Sequence, residues 1–206
     1  YKTAADESAL NSVTTWSHPN NNSGQALPTY AGVHEIAYTN TDVYIRTSGL
    51  GFHVMGPWYL DEAGTNLFPN YPANTSAIFR FPLAPGTPPT SKTATGNGII
   101  GYFVDGIGMF DSRDAFSYSN SNAGDARPNS NFTGDGIWNR DAYINESVTF
   151  DSAHAHQAGI NHHYHANPPV LRHLIGDSVD YDASTNTYTE NFNGQHSPIM
   201  AWVRDG

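Results

Sequence analysis

Glycine and proline interrupt this chain so often that no long apolar periodicity survives: 19 glycines and 13 prolines are spread over 206 residues. A helical bundle needs uninterrupted runs, so the interruptions leave short strands joined by turns and loops. Val33–Tyr38 and Asp42–Thr47 alternate about a hairpin loop at Thr39-Asn40-Thr41, and Gly51–Met55 follows as a third short strand. Ala77–Leu83 predicts a strand with Phe79, Phe81 and Leu83 inward, and its Pro82 puts it at an edge or a strand end. The stretch 84–98, rich in proline and small polar residues, predicts no regular structure. Ile99–Gly106 is almost continuously apolar and predicts a buried central strand.

Further on, Ser117–Gly136 reads as a long polar loop, and Ala142–Ile144 and Ser147–Phe150 as short strands. Val170–Ile175 predicts one helical turn after Pro168-Pro169, Asn193-Gly194 a turn, and Ile199–Arg204 a last strand. Gly101–Gly106 is echoed by Ala201–Gly206, each a small residue, two bulky ones and a closing Asp-Gly, as if two related strand-and-turn units flanked the segment between. The expected fold is mainly β: a single sandwich-like or irregular β domain with long loops over 31–206, preceded by an N-terminal arm over 1–30. Within the arm, Ala4–Val13 could form a thin amphipathic helix and His18–Gly24 is a loop.

Composition narrows the partners. Charged residues are 14% of the chain, aromatics 13%, and the formal net charge is −10. Such a surface repels phosphate backbones, which argues against nucleic acid. Without cysteine there are no disulfides, thiolate ligands or cysteine nucleophiles. No apolar run is long enough to predict a membrane span. Abundant Asn, Ser, Thr, Tyr and Gly, with a start at Tyr1, suggests a processed chain on the extracellular side, secreted or at a cell surface.

Six of the ten histidines fall in the stretch 150–173, FDSAHAHQAGINHHYHANPPVLRH. His154 and His156 are two apart, as are His163 and His165, and side chains two apart share a face of an extended chain. Two antiparallel arms joined through Gln157–Asn161 would gather all four rings, the donor set a transition metal needs. Asp151 can add an oxygen ligand or orient a ring. Imidazole nitrogens favour copper or zinc, with manganese or iron admissible if Asp151 binds. Four histidines would close the coordination shell, and three would leave a position open.

Other groups have plainer readings. Asp105, Asp111 and Asp114 could supply a general base or a second, calcium site, but their spacing fits Asx turns better. Arg172 and His173 could meet an anionic substrate, though capping a helix end is the commoner use. Asn21, Asn74, Asn131 and Asn145 begin Asn-x-Ser/Thr triplets and are glycosylation candidates. The tryptophans and tyrosines make carbohydrate a candidate ligand, against their ordinary role as core.

Several segments together resemble the YHYH domain family, named for a Tyr-His-Tyr-His motif in secreted or surface proteins. His162-His163-Tyr164-His165 with Asn167-Pro168-Pro169, and Phe150-Asp151 and His156 upstream, carry the likeness. GYFVDGIGMF over 101–110, His53-Val54-Met55-Gly56-Pro57, and His196-Ser197-Pro198 through Asp205-Gly206 extend it over about 40–206. The chain departs from the pattern in three places. His162 replaces the first motif tyrosine, Ala153 and Val170 stand where cysteines often occur, and the sequence stops at an Asp-Gly that members usually continue past. The last point suggests truncation or processing. The resemblance implies a metal-linked, mostly β, extracytoplasmic protein without implying a reaction. It carries over His156, His163 and His165 as ligands, with Asp151 and His53; His154 comes from spacing alone.

The expectation is therefore an extracellular metal-binding β domain serving as a structural or assembly subunit of a surface or filamentous polymer. It would be a homo-oligomer joined through the arm by strand addition. The competing expectations are a metal-dependent oxidoreductase or hydrolase acting on extracellular polymer, and metal sequestration or delivery.

Overall fold

A computed structural model describes residues 31–204, without the side chains of Ala115 and Phe116. The arm over 1–30, with the helix expected in it and the Asn21 sequon, lies outside the described residues. The domain is mainly β, 33% strand against 8% helix, in several small sheets that close into no barrel. Strands β1 (Val33–Tyr38), β2 (Asp42–Thr47) and β3 (Ala77–Pro82) form an antiparallel sheet in that order, where alternation predicted them. The first turn closes through Thr39, whose amide donates to the Asp42 carbonyl and whose hydroxyl oxygen accepts from the Thr41 and Asp42 amides. Phe79 and Phe81 point inward, but Leu83 lies just past the strand and is exposed.

A five-stranded sheet carries the candidate site. Its order is β13 (Ala201–Val203), β4 (Ile99–Phe103), β5 (Gly108–Phe110), β10 (Asn161–Tyr164) and β9 (Ala155–Ala158). The two echoing segments are neighbours in it, Trp202 lying opposite Tyr102 and Val203 opposite Gly101. A Cβ on Gly101 would strike the Trp202 carbonyl oxygen, so only glycine allows this close pairing. The β4–β5 turn needs Gly106 at φ +85°, and Asp105 locks it by accepting the Ile107 amide.

The two sheets meet where Val33, Ile45, Phe79 and Phe81 pack on Tyr102. On the other side, Phe103, Ile107, Tyr164, Val170 and Leu171 form a second core beneath helix α2 (Pro169–Leu174). A third cluster of Leu50, Met55, Trp58 and Phe68 sits under the 48–72 segment. That segment makes only an isolated bridge at Tyr59 and Leu67, so Gly51–Met55 is not a strand.

The sequence reading also errs in the polar half. Strand β6 (Arg113–Ser119) runs into the expected loop and pairs with β7 (Gly124–Asp125) and β8 (Asn139–Asp141). The next two expected strands are instead the helical turn α1 (Ala142–Asn145) and a 3-10 turn, Ser147–Thr149. Asp141 caps the first by accepting from the Ile144 amide, and the Thr149 hydroxyl donates to the Glu146 carbonyl. Local capping overrides β propensity here. The hairpin β11 (Val179–Asp182) with β12 (Thr187–Glu190) was not foreseen; Arg172, paired with Asp177 at 2.6 Å and with Glu190, ties it to the end of α2.

Candidate metal centre

β9 and β10 form the expected hairpin around Gly159, which sits at φ +60°. Its register places His163 opposite His156 and His162 opposite Gln157. Alternation then divides the histidines: His156, His163 and His165 share one face, and His162 and Tyr164 point to the other.

On the first face the hydrogen bonds fix each tautomer. The Nδ1 of His163 lies 2.9 Å from the Asn161 carbonyl, and that of His165 lies 3.0 Å from the Asp111 carbonyl. A carbonyl only accepts, so both Nδ1 atoms carry the hydrogen. His156 Nδ1 lies 2.6 Å from Thr149 Oγ1, whose own hydrogen goes to the Glu146 carbonyl at 2.7 Å. Thr149 Oγ1 therefore accepts from His156. All three rings aim Nε2 at a common point, with Nε2 of His163 and His165 only 3.1 Å apart. Burial, reinforced by the neighbouring imidazoles, holds His156 down to about 3 and His163 well below the usual range, so those two rings stay neutral.

The fourth member is Glu146, whose Oε2 stands 3.2 Å from His156 Nε2 and 3.4 Å from His165 Nε2. Nothing in the sequence spacing marked it. It is delivered by the junction of α1 and the 3-10 turn, the elements misread as strands. One proton on its carboxyl could satisfy only one of the three Nε2 atoms, whereas a divalent cation would satisfy them all. Phe110 lies flat on His163, centroids 3.6 Å apart, and Phe150 meets His156 edge-on at 5.0 Å. The group sits in a cleft of about 490 Å³ whose walls include Leu60, Phe68, Phe110 and Arg113.

His154 does not join this group. The Asp151 carboxylate accepts the Ala153 and Ala155 amides, His154 turns to φ +58°, and strand alternation begins only at Ala155. Its ring rests on Tyr143 instead, centroids 5.3 Å apart.

His53 and Asp151 lie on the opposite face with His162, their ligand atoms all within 4.8 Å of one another. Neither nitrogen of His53 or of His162 has a hydrogen-bond partner, and all four atoms are buried. Burial holds His53 at about 3 and His162 well below the usual range, and pushes the Asp151 carboxyl up to about 7. Strand alternation alone would have separated His162 from His163; no local signal paired it with a residue more than a hundred positions earlier.

The remaining candidates disperse. Asp105 accepts from the Tyr164 hydroxyl, Asp111 from Arg113, and Asp114 from the Arg140 amide and Asn145, which is turn and network chemistry. His173 Nδ1 donates to the Val179 carbonyl at the end of α2. Asn74 and Asn131 are exposed, but Asn145 is buried and its amide donates to Asp114 and to the Ala126 carbonyl at 3.2 Å. The folded domain therefore leaves no Asn145 nitrogen for a glycan. Trp58 is core, donating to the Ala155 carbonyl, while Trp138 and Trp202 are exposed. Among the described residues no helix is long and apolar enough to cross a membrane.

A family model described as "YHYH protein" matches residues 78–206. The match contains every member of the first group, together with Asp151 and His162, and leaves His53 outside it. No curated protein and no solved structure matches the chain.

Proposed function

Because the chain belongs to the YHYH protein family, and because its motif histidines converge as described, we propose that it is an extracellular metal-binding domain. In this reading His156, His163, His165 and Glu146 hold one divalent transition metal, with zinc or copper the best match to three imidazoles and a carboxyl oxygen. The observation that carries the reading is the convergence of three Nε2 lone pairs whose tautomers are fixed by Asn161, Asp111 and Thr149. Such outer hydrogen bonds orient a ligating imidazole and raise its basicity. When bound, the metal would supply Lewis-acid or redox chemistry at the floor of the cleft. Arg113, paired with Asp111, and the apolar side chains Leu60, Phe68 and Phe110 line the cleft. The open cleft favours a metal-dependent enzyme over sequestration of the ion.

Metal analysis tests the first claim. His163→Ala should bind one equivalent of zinc or copper fewer than wild type, and an unchanged count in the variant overturns the assignment.

The assembly reading has its own support. β1 is a sheet edge with Ile36 and Tyr38 exposed, a template for strand addition by another copy. Deleting residues 1–30 should abolish oligomers seen on size exclusion; oligomers that persist unchanged sink this second reading.

A further inference from the structure

The hairpin face that the cleft does not use carries the least satisfied polar groups among the described residues. His53 comes from the 48–72 segment and His162 from β10, and their rings lie 5.7 Å apart. All four of their nitrogens are buried without a partner. An unpartnered buried donor or acceptor is costly, so four in one place call for an occupant. Asp151 completes the group: Oδ2 accepts the Gly56 amide at 2.9 Å, and Oδ1 accepts the Ala153 and Ala155 amides at 3.0 and 3.2 Å. Those bonds fix the carboxyl beside the two rings. Apolar and aromatic neighbours surround them, with Trp58 edge-on to His162 at 5.9 Å and Tyr164 at 6.1 Å. The Tyr164 hydroxyl is turned away, donating to Asp105.

We propose that His53, His162 and Asp151 bind a second divalent metal ion, of the zinc class, sealed in the core and separate from the ion in the cleft. Two imidazoles and a carboxylate are a zinc-type donor set, and closure from solvent is the mark of a structural site. The ion staples the 48–72 segment to the hairpin. In a chain without cysteine that segment has no covalent tie, and its own pairing is a single bridge. A buried water is the competing occupant, and it would leave the metal count at one.

Metal-stripped protein is reloaded with zinc, and bound ions are counted per chain in wild type, His162→Phe and His163→Ala. Two ions in wild type and one in each variant is the expected result. Two ions retained in His162→Phe overturn the second site. So does one ion in wild type that His163→Ala removes and His162→Phe keeps, which leaves the cleft site standing. One ion with the opposite pattern upholds the second site and overturns the cleft assignment; none overturns both. Should His162→Phe fail to fold, anomalous scattering from zinc-loaded wild-type crystals decides. A peak between His53 and His162 upholds the site, and a peak only beside His156 overturns it. Hydrogen exchange gives an independent readout, since removal of the core ion should raise exchange at least tenfold across 48–72.

Discussion

On one face of the β9–β10 hairpin three imidazoles are each held by a hydrogen bond through Nδ1 and aim Nε2 into a cleft; on the other, two imidazoles have buried nitrogens and no hydrogen bond. The side chain is the same, and a single strand supplies both sets through neighbouring residues, His162 and His163. What differs is the second layer. Backbone carbonyls and Thr149 predetermine the geometry of the cleft group, so its rings stay placed whether or not a cation is bound. The buried group has only packing and Asp151 to hold it, so a ligand there acts chiefly on stability. An oriented, accessible donor set suits chemistry, and a sealed one suits fastening.

Acidification should break both groups and gives the largest expected effect. His53 and His156 have folded-state values near 3 against an ordinary 6.5. Between those limits the unfolded chain binds protons that the folded chain refuses, so stability falls as pH drops from about 6.5 toward 3. Asp151, with a folded-state value of about 7, works the other way by taking up a proton in the folded state over the same window, so the net loss is smaller than the histidines alone would give. Thermal melts of metal-free protein should show a shallower acid loss in His162→Phe than in wild type, and identical profiles would mean that the His162 ring is not buried as described.

Glu146→Gln separates the faces next. It should weaken the zinc binding proposed for the cleft by at least the roughly hundredfold of a lost outer-shell partner, while leaving the binding proposed for the core untouched, as read by competition with a chelating dye. Thr149→Val removes the acceptor for His156 Nδ1 together with the donor to the Glu146 carbonyl and should cost about 10–100-fold in the same assay. An unchanged affinity would show that the Thr149 contact orients nothing.

The smallest effect sharpens the contrast most. In metal-free protein, His162→Phe replaces unpartnered nitrogens with carbon and should be neutral or stabilising by about 1 kcal/mol. His163→Phe breaks the Asn161 bond and should destabilise by about 1–2 kcal/mol. Equal losses in urea melts would erase the distinction between the faces.

Much of this was readable from local pattern. The β1–β2 hairpin, β3, central β4 and the turn of α2 follow from alternation and from glycine and proline placement. The pairing of His156 with His163 follows from the short turn between them. The polar half was harder: residues 142–149 have strand-like composition, and capping by Asp141 and Thr149 made them helical instead. With that segment misread, Glu146 could not be seen as part of the site, nor could the burial of Asn145 among the glycosylation candidates.

By itself the sequence determined the β class, the YHYH kinship and which histidines share a hairpin face, because period-two alternation and turn length are local properties of the chain. Only the tertiary structure decided what meets each face. Glu146 arrives on a helical turn, His53 arrives from a segment more than a hundred residues away, and His154 is turned out by the carboxylate of Asp151. Those placements depend on long-range packing and on buried hydrogen bonds, whose partners no spacing along the chain specifies.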